Sequence, residues 1–149
     1  NNENAASQID EAPTSRAGLI QDRFTVHSSN YDHQETLSRL LEALDRRDLT
    51  VFAVIDHKAG AEDVDLTLPP MTLVIFGNPR AGTPLMTAEP LTGAELPLRA
   101  LVYDLEGQTQ LALTGTDFLR RYFKLDDQSE LLGKIGETLK TISKETTGG

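Results

Sequence analysis

Cysteine is absent from the 149-residue chain, which excludes disulfides, thiol nucleophiles and thiolate metal sites. Tryptophan is absent too, and aromatic residues make up only 5%, too few for a platform that stacks nucleic-acid bases. Basic residues are scarce: 14 Lys and Arg stand against 23 Asp and Glu, for a net charge of −9. An acidic body repels phosphate backbones, so nucleic acid is not expected as a partner. No stretch approaches the roughly 18–20 apolar residues that a membrane-spanning helix needs. The longest apolar stretches, around Val51–Ile55 and Leu73–Phe76, are strand-sized. An acidic, soluble chain of one domain with a single core is the expectation that remains.

The chain begins with Asn and opens on NNENAASQIDEAPTS, which is polar and rich in small residues. Residues 1–18 read as a disordered lead. If a signal peptide preceded them, the protein is periplasmic or secreted; otherwise it is cytoplasmic. The fold is expected over residues 19–145, with 146–149 as a frayed tail.

Phe24 and Val26, with β-branched Thr25 between them, predict a first strand within 19–28. Leu37, Leu40, Leu41 and Leu44 fall on one helical stripe behind an Asp32–Glu35 start, predicting a helix over 33–47. Thr50–His57 and Met71–Asn78 are continuous apolar strands, a pattern expected where both faces are covered. Between them, Ala59–Asp63 is expected to form a short helix. Thr83-Pro84 reads as a cap and first turn of a short helix over 84–89. Leu98–Leu105 and Gln108–Thr114, joined by Glu106-Gly107, predict a hairpin. Thr116-Asp117 is expected to cap a short helix, and Asp127 with Glu130 to open the last long one. The sum is an α+β fold, mostly an antiparallel sheet, of order β-α-β-β-β-β-α with short inserted helices. Its two long helices are expected on one sheet face.

Candidate chemistry is sparse. Asp56 and His57 are adjacent, so on a strand they point to opposite faces and cannot act as one acid–base dyad. The plain reading is a strand end whose polar groups bind backbone at a turn; a ligand-lining His57 is the sharper one. Gly77-Asn78-Pro79-Arg80-Ala81-Gly82-Thr83 runs from a strand into a helix. Its backbone amides, with Arg80, make it a candidate anion site, although the Lys-Ser/Thr of a nucleotide-binding loop is missing. The candidate ligand-binding set is therefore His57, Gly77, Asn78, Arg80, Gly82 and Thr83. His27, His33 and His57 follow no close metal-ligand spacing, and His27 and His57 could come together if the first two strands were neighbours. No serine-nucleophile elbow is present. No catalytic residue, metal or cofactor is assigned from the sequence.

Five punctuation motifs in order carry a resemblance: Asp56-His57, Leu68-x-Pro70, Phe76-Gly77-Asn78-Pro79, Gly82-Thr83-Pro84-Leu85-Met86 and Leu96-Pro97-Leu98. With them the chain resembles the bacterial and archaeal family named domain of unknown function DUF302, from about Leu19 to Ile142. The resemblance implies the same α+β order, which also looks like the half-repeat of the TATA-box-binding protein. A shared fold carries no function across. Two departures stand out. Asp48 and Asp65 occupy positions where the family usually has Gly, and Asp takes the left-handed cap conformation less readily.

The functional expectation is a non-enzymatic binding or interaction domain that self-associates as a homodimer or larger homo-oligomer. An open sheet face needs cover, from a second copy or an apolar ligand. The alternative is a small enzyme or sensor that binds a small anionic ligand between His57 and the Gly77–Thr83 loop.

Overall fold

The computed structural model describes residues 23–149. The expected lead over residues 1–18 and the start of the domain at Leu19 lie outside the described residues. The strands are β1 (Phe24–Ser28), β2 (Thr50–Asp56), β3 (Met71–Gly77), β4 (Leu98–Leu105) and β5 (Gln108–Thr114). The helices are α1 (His33–Asp45), α2 (His57–Asp63), α3 (Pro79–Ala88), α4 (Thr116–Tyr122) and α5 (Ser129–Thr147). All strand pairs are antiparallel, in the spatial order β1-β5-β4-β3-β2. The α+β architecture read from the sequence is the one observed.

Helix α1 starts where Asp32 accepts a hydrogen bond from the Glu35 amide at 2.8 Å. It ends in a left-handed turn: Asp48 has φ 54°, its amide donates to Asp45 O, and the Leu49 amide donates to Leu44 O. That pair of bonds is a Schellman cap, with Asp in the position glycine usually takes. The same pair recurs after α2, where Asp65 has φ 61°, its amide donates to Glu62 O and the Leu66 amide to Ala61 O. Asp48 and Asp65 therefore both sit where the chain needs a positive φ, a conformation that glycine takes more easily. Glu106 and Gly107 also have positive φ, 53° and 82°, as a tight hairpin turn demands.

Several boundaries differ from the sequence reading. The first long helix ends at Asp45, β2 ends at Asp56 and β3 at Gly77, and His57 opens α2 instead of closing the strand, because Asp56 caps the helix there. Helix α3 begins at Pro79, capped by Asn78, so Thr83 lies inside it and is not its cap. Helix α4 is preceded by Gly115 without a side-chain cap, and Thr116 is already helical. Asp126–Gln128 form a 3-10 turn before α5 opens at Ser129. The tail does not fray: α5 runs to Thr147, with Thr146 and Thr147 buried. The Asn30 amide donates to Thr147 O at 2.9 Å, and its side-chain amide donates to Gly148 O at 3.2 Å, tying the tail down.

Alternation along the strands sends one set of side chains to the helices. Val74 and Phe76 of β3, Ala100 and Val102 of β4, and Leu111 and Leu113 of β5 meet Leu40, Ala43 and Leu44 of α1 and Leu139 and Ile142 of α5. A second cluster gathers Leu85, Phe118, Leu119, Leu125 and Leu132. Leu98 and Ile135 pack against both. Gly136 lets α5 approach the start of α4: a Cβ there would lie 3.0 Å from Thr116 Oγ1. The sheet's other face carries Leu73, Ile75, Leu101 and Tyr103, all half-buried.

Candidate ligand cavity

Where the two core clusters meet, the packing leaves a half-open cavity of about 630 Å³. Phe76 and Leu98 of the sheet line it. So do Pro79, Ala81, Gly82, Leu85 and Met86 at α3, and Leu131, Lys134, Ile135, Thr138 and Leu139 of α5. Phe52 closes one side. It owes that position to a bulge: the β2–β3 register shifts between Val51 and Ala53, leaving Phe52 as the extra residue. Met86 supplies a flexible, polarisable wall, and a Cβ on Gly82 would touch it at 3.7 Å.

The lining is mostly apolar, with Arg47, Asn78, Lys134 and Thr138 as its polar members. Arg47 is already engaged. Its Nη1 lies 2.6 Å from Glu145 Oε2 and donates to Ala43 O at 2.9 Å. The hydrogen bond from Arg47, with the positive charge of Arg47 and Arg46 nearby, holds the Glu145 carboxyl below the usual carboxylate range. Lys134 is more loosely held, 3.8 Å from Glu130 and largely exposed. Asn78 uses its side-chain oxygen to cap the Arg80 amide at 2.9 Å, which leaves its NH₂ group to face a ligand.

The amides at the start of α3 that could meet an anion already have partners. Pro79 has no N–H, the Arg80 amide is taken by Asn78 Oδ1, and the Ala81 and Gly82 amides both donate to Asn78 O. No amide of that first turn is free for an anion. His57 is not near it either. Gly77 pairs with Thr50 and Thr72 with Asp56, so His57 lies beyond the opposite end of the ladder, about 20 Å along the strand. Asp56 caps α2 by accepting from the Ala59 amide at 3.0 Å, the structural role that an Asp-His strand end first suggests. Of the six candidate residues, the cavity takes in Asn78 and Gly82. Gly77 is buried beside Phe52 and Pro97, while Arg80 and Thr83 are exposed.

The histidines do not converge. β1 and β2 are opposite edges of the sheet, which separates His27 from His57. No group of three or more His, Asp and Glu suited to a metal occurs among the described residues. His33 has partners that sequence spacing does not reveal. Its Nε2 lies 2.9 Å from Thr72 Oγ1 and its Nδ1 3.3 Å from Asp104 Oδ1. Thr109 also donates to Asp104, at 3.2 Å. The order Thr–His–Asp invites a catalytic reading, but Thr72 is buried at 5% exposure and does not line the cavity. The cluster fastens the start of α1 to the sheet.

Comparisons with known proteins agree with this fold. A family model described as "Domain of unknown function DUF302" matches residues 24–146. The chain belongs to that family. It is also 37% identical over 134 residues to proteins named "Fluoride-specific ion channel FluC 1" from Brucella suis biovar 1 (strain 1330) and Brucella abortus biovar 1 (strain 9-941). Those alignments cover 89% of this chain but only 53% and 50% of the relatives, so the chain spans about half their length. A crystal structure of an uncharacterized conserved DUF302 protein from Bacillus stearothermophilus superposes with a TM-score of 0.75 at 19% identity, covering 83% of this chain and 97% of that one. At that identity the likeness is one of fold. No helix of the described residues is long and apolar enough to cross a membrane.

Proposed function

We propose that this domain binds a small apolar molecule with a polar or anionic end. The observation that carries the reading is the cavity of about 630 Å³, within the range typical of small-molecule sites. Its apolar walls supply burial, and a few polar groups at its margin supply orientation. The apolar body would lie against Leu85, Met86, Leu98 and Ile135, and the polar end would face Asn78 and Lys134. Arg47 contributes less, because Glu145 already neutralises it.

The relatives named as fluoride channels match this chain over half their length. Conduction requires a path through the membrane, and no helix of the described residues is long and apolar enough to cross one. The reading therefore gives the matched half a binding role beside the channel half. It does not make the cavity a fluoride site, since the lining is mostly apolar and the α3 amides are occupied. A second reading, association between copies, rests on a different observation: Val51, Phe52, Val54 and Ile55 of β2 are all exposed.

The test of the cavity is a fluorescence titration with 11-(dansylamino)undecanoic acid, an apolar chain ending in a carboxylate. Saturable binding to the parent should weaken about tenfold or more, ~1.4 kcal/mol, when Ala81→Trp fills the cavity. Leu73→Lys on the opposite sheet face should leave binding unchanged. Equal loss from both variants, or no saturable binding, would remove the reading. Thermal stabilisation by sodium fluoride but not by sodium chloride would replace it with a fluoride site.

A further inference from the structure

The cavity is not uniform along its length. Its α5 wall runs from Leu131 to Leu139, about 12 Å of helix at about 1.5 Å per residue. At the Leu131 end it meets Leu85, Leu96 and Leu119, all part of the second core cluster or packed against it. Leu85 and Leu119 are each 1% exposed, so that end is closed and apolar. The Leu139 end carries polar groups. Six residues further along α5, Glu145 holds Arg47. Gly77 pairs with Thr50, which sets Asn78 across from Leu49, close after Arg47 in the chain. Lys134 stands between the ends, on the same helix face as Leu131 and Thr138. The chain carries 23 acidic residues against 14 basic ones, yet the charged residues that line the cavity, Arg47 and Lys134, are both basic.

We infer that the ligand is an anionic single-chain amphiphile, a medium-chain carboxylate, lying along α5 with its tail at Leu85 and Leu119 and its charge toward Lys134 and Asn78. This rests on the small-molecule reading of the cavity and adds the charge of the head group and the direction of the ligand. The closed apolar end takes the tail, where burial is favourable. Lys134 supplies the charge. Its ammonium is only loosely held, 3.8 Å from Glu130, and its long stem can lie on the apolar rim with the charge in water. Arg47 adds little charge, because Glu145 balances it. Asn78 adds a donor: its oxygen is used on the Arg80 amide, so its NH₂ group faces the ligand. Thr138 donates its hydroxyl to Lys134 O at 3.1 Å and keeps no proton for a ligand. No carboxylate in the lining matches a cationic head, which would instead meet like charge at Lys134. An extended hydrocarbon chain with bonds of about 1.5 Å advances roughly 1.25 Å per carbon, so the wall matches about ten carbons.

Decanoate, decan-1-ol and decylamine share one tail and differ in the head, so they isolate its charge. Each is titrated against protein loaded with 11-(dansylamino)undecanoic acid, with the probe's own affinity measured for every variant. At low ionic strength the parent should bind decanoate best and decylamine worst, and added salt should narrow that difference. Lys134→Glu should weaken decanoate about fivefold, the upper range for an exposed charge pair, and leave decan-1-ol unchanged. Thr138→Lys, a cation added at the polar end, should strengthen decanoate and weaken decylamine. Leu96→Lys at the closed end should weaken all three. Circular dichroism melts establish that each variant folds. Equal affinity for decanoate and decan-1-ol, or decanoate binding untouched by Lys134→Glu, overturns the anionic class while leaving the small-molecule reading standing. A probe that saturates but is displaced by none of the three does the same. Thr138→Lys without stronger decanoate binding, or Leu96→Lys with it, overturns the direction. Absence of saturable probe binding removes the cavity reading itself, and this inference with it.

Discussion

The sheet has two edges, and they are built differently. β1 presents Thr25, His27 and Ser28 to solvent, while β2 presents Val51, Phe52, Val54 and Ile55. A polar edge is easily left in water. An apolar edge strand with unpaired backbone groups invites another strand. The neighbouring strand sharpens the contrast. Val74 and Phe76 of β3 are fully buried under the helices, yet Val54 and Val51, their register partners, are exposed. The helix layer covers β3 to β5 and stops short of β2. Two stretches of equal apolar character thus acquire opposite surroundings, one as core and one as surface.

The largest expected effect tests that division. Phe76→Ala should cost about 3–5 kcal/mol in urea unfolding, because it opens a cavity in a packed core. Phe52→Ala should cost less than about 1 kcal/mol, since its ring is 53% exposed. Comparable losses at the two positions would mean that β2 is covered in the isolated molecule. A smaller effect is expected from giving β1 the character of β2. Thr25→Val with His27→Val should leave monomer stability within about 0.5 kcal/mol. It should nevertheless add larger species to the size distribution seen by light scattering. An unchanged distribution would show that apolar character alone does not make an edge adhesive.

The turns that flank β2 and its connection supply a finer test. Asp48→Gly and Asp65→Gly should each stabilise the protein by roughly 0.5 kcal/mol, the relief of a left-handed Asp less the added freedom of Gly in the unfolded chain. Equilibrium unfolding would detect it, and destabilisation would imply that the carboxylates hold contacts beyond the turn. The smallest effect concerns pH at the entry to β2. Glu145 has a lowered folded-state pKa, held chiefly by its hydrogen bond from Arg47. The unfolded chain therefore binds this proton more readily, and the contribution is complete above the ordinary carboxylate range. It is lost as pH falls through the folded value. The melting-temperature advantage of the parent over Glu145→Gln should shrink from about pH 6 to about pH 3. A constant difference would mean that the Arg47 contact does not depend on the charge.

Local signals made much of the fold legible. The leucine stripe placed α1, alternation and turn residues placed β4 and β5 exactly as they pair, and the ordered motifs placed the chain in its family. The start of α3 was missed because Thr83-Pro84 and Asn78-Pro79 both read as a cap followed by proline, and only the fold selects between them. The tail at 146–149 was misjudged because Thr and Gly carry no apolar signal. It is packing against Asn30 and Tyr31 that holds them. The cavity was half legible. Asn78 and Gly82 stood within a marked motif, but Leu98 and the α5 residues that complete the wall are ordinary apolar positions in sequence.

By itself the sequence determined the family, the element order, the hairpin register and the acidic charge, because each follows from residues close together along the chain. Tertiary structure decided that β1 and β2 are opposite edges, which parts His27 from His57. It also decided that the β2–β3 ladder carries His57 away from the α3 start. A continuous apolar strand reads alike whether helices cover it or not. Strand order and the reach of the helix layer made β3 the core and left β2 exposed, and neither is written in any local run of residues.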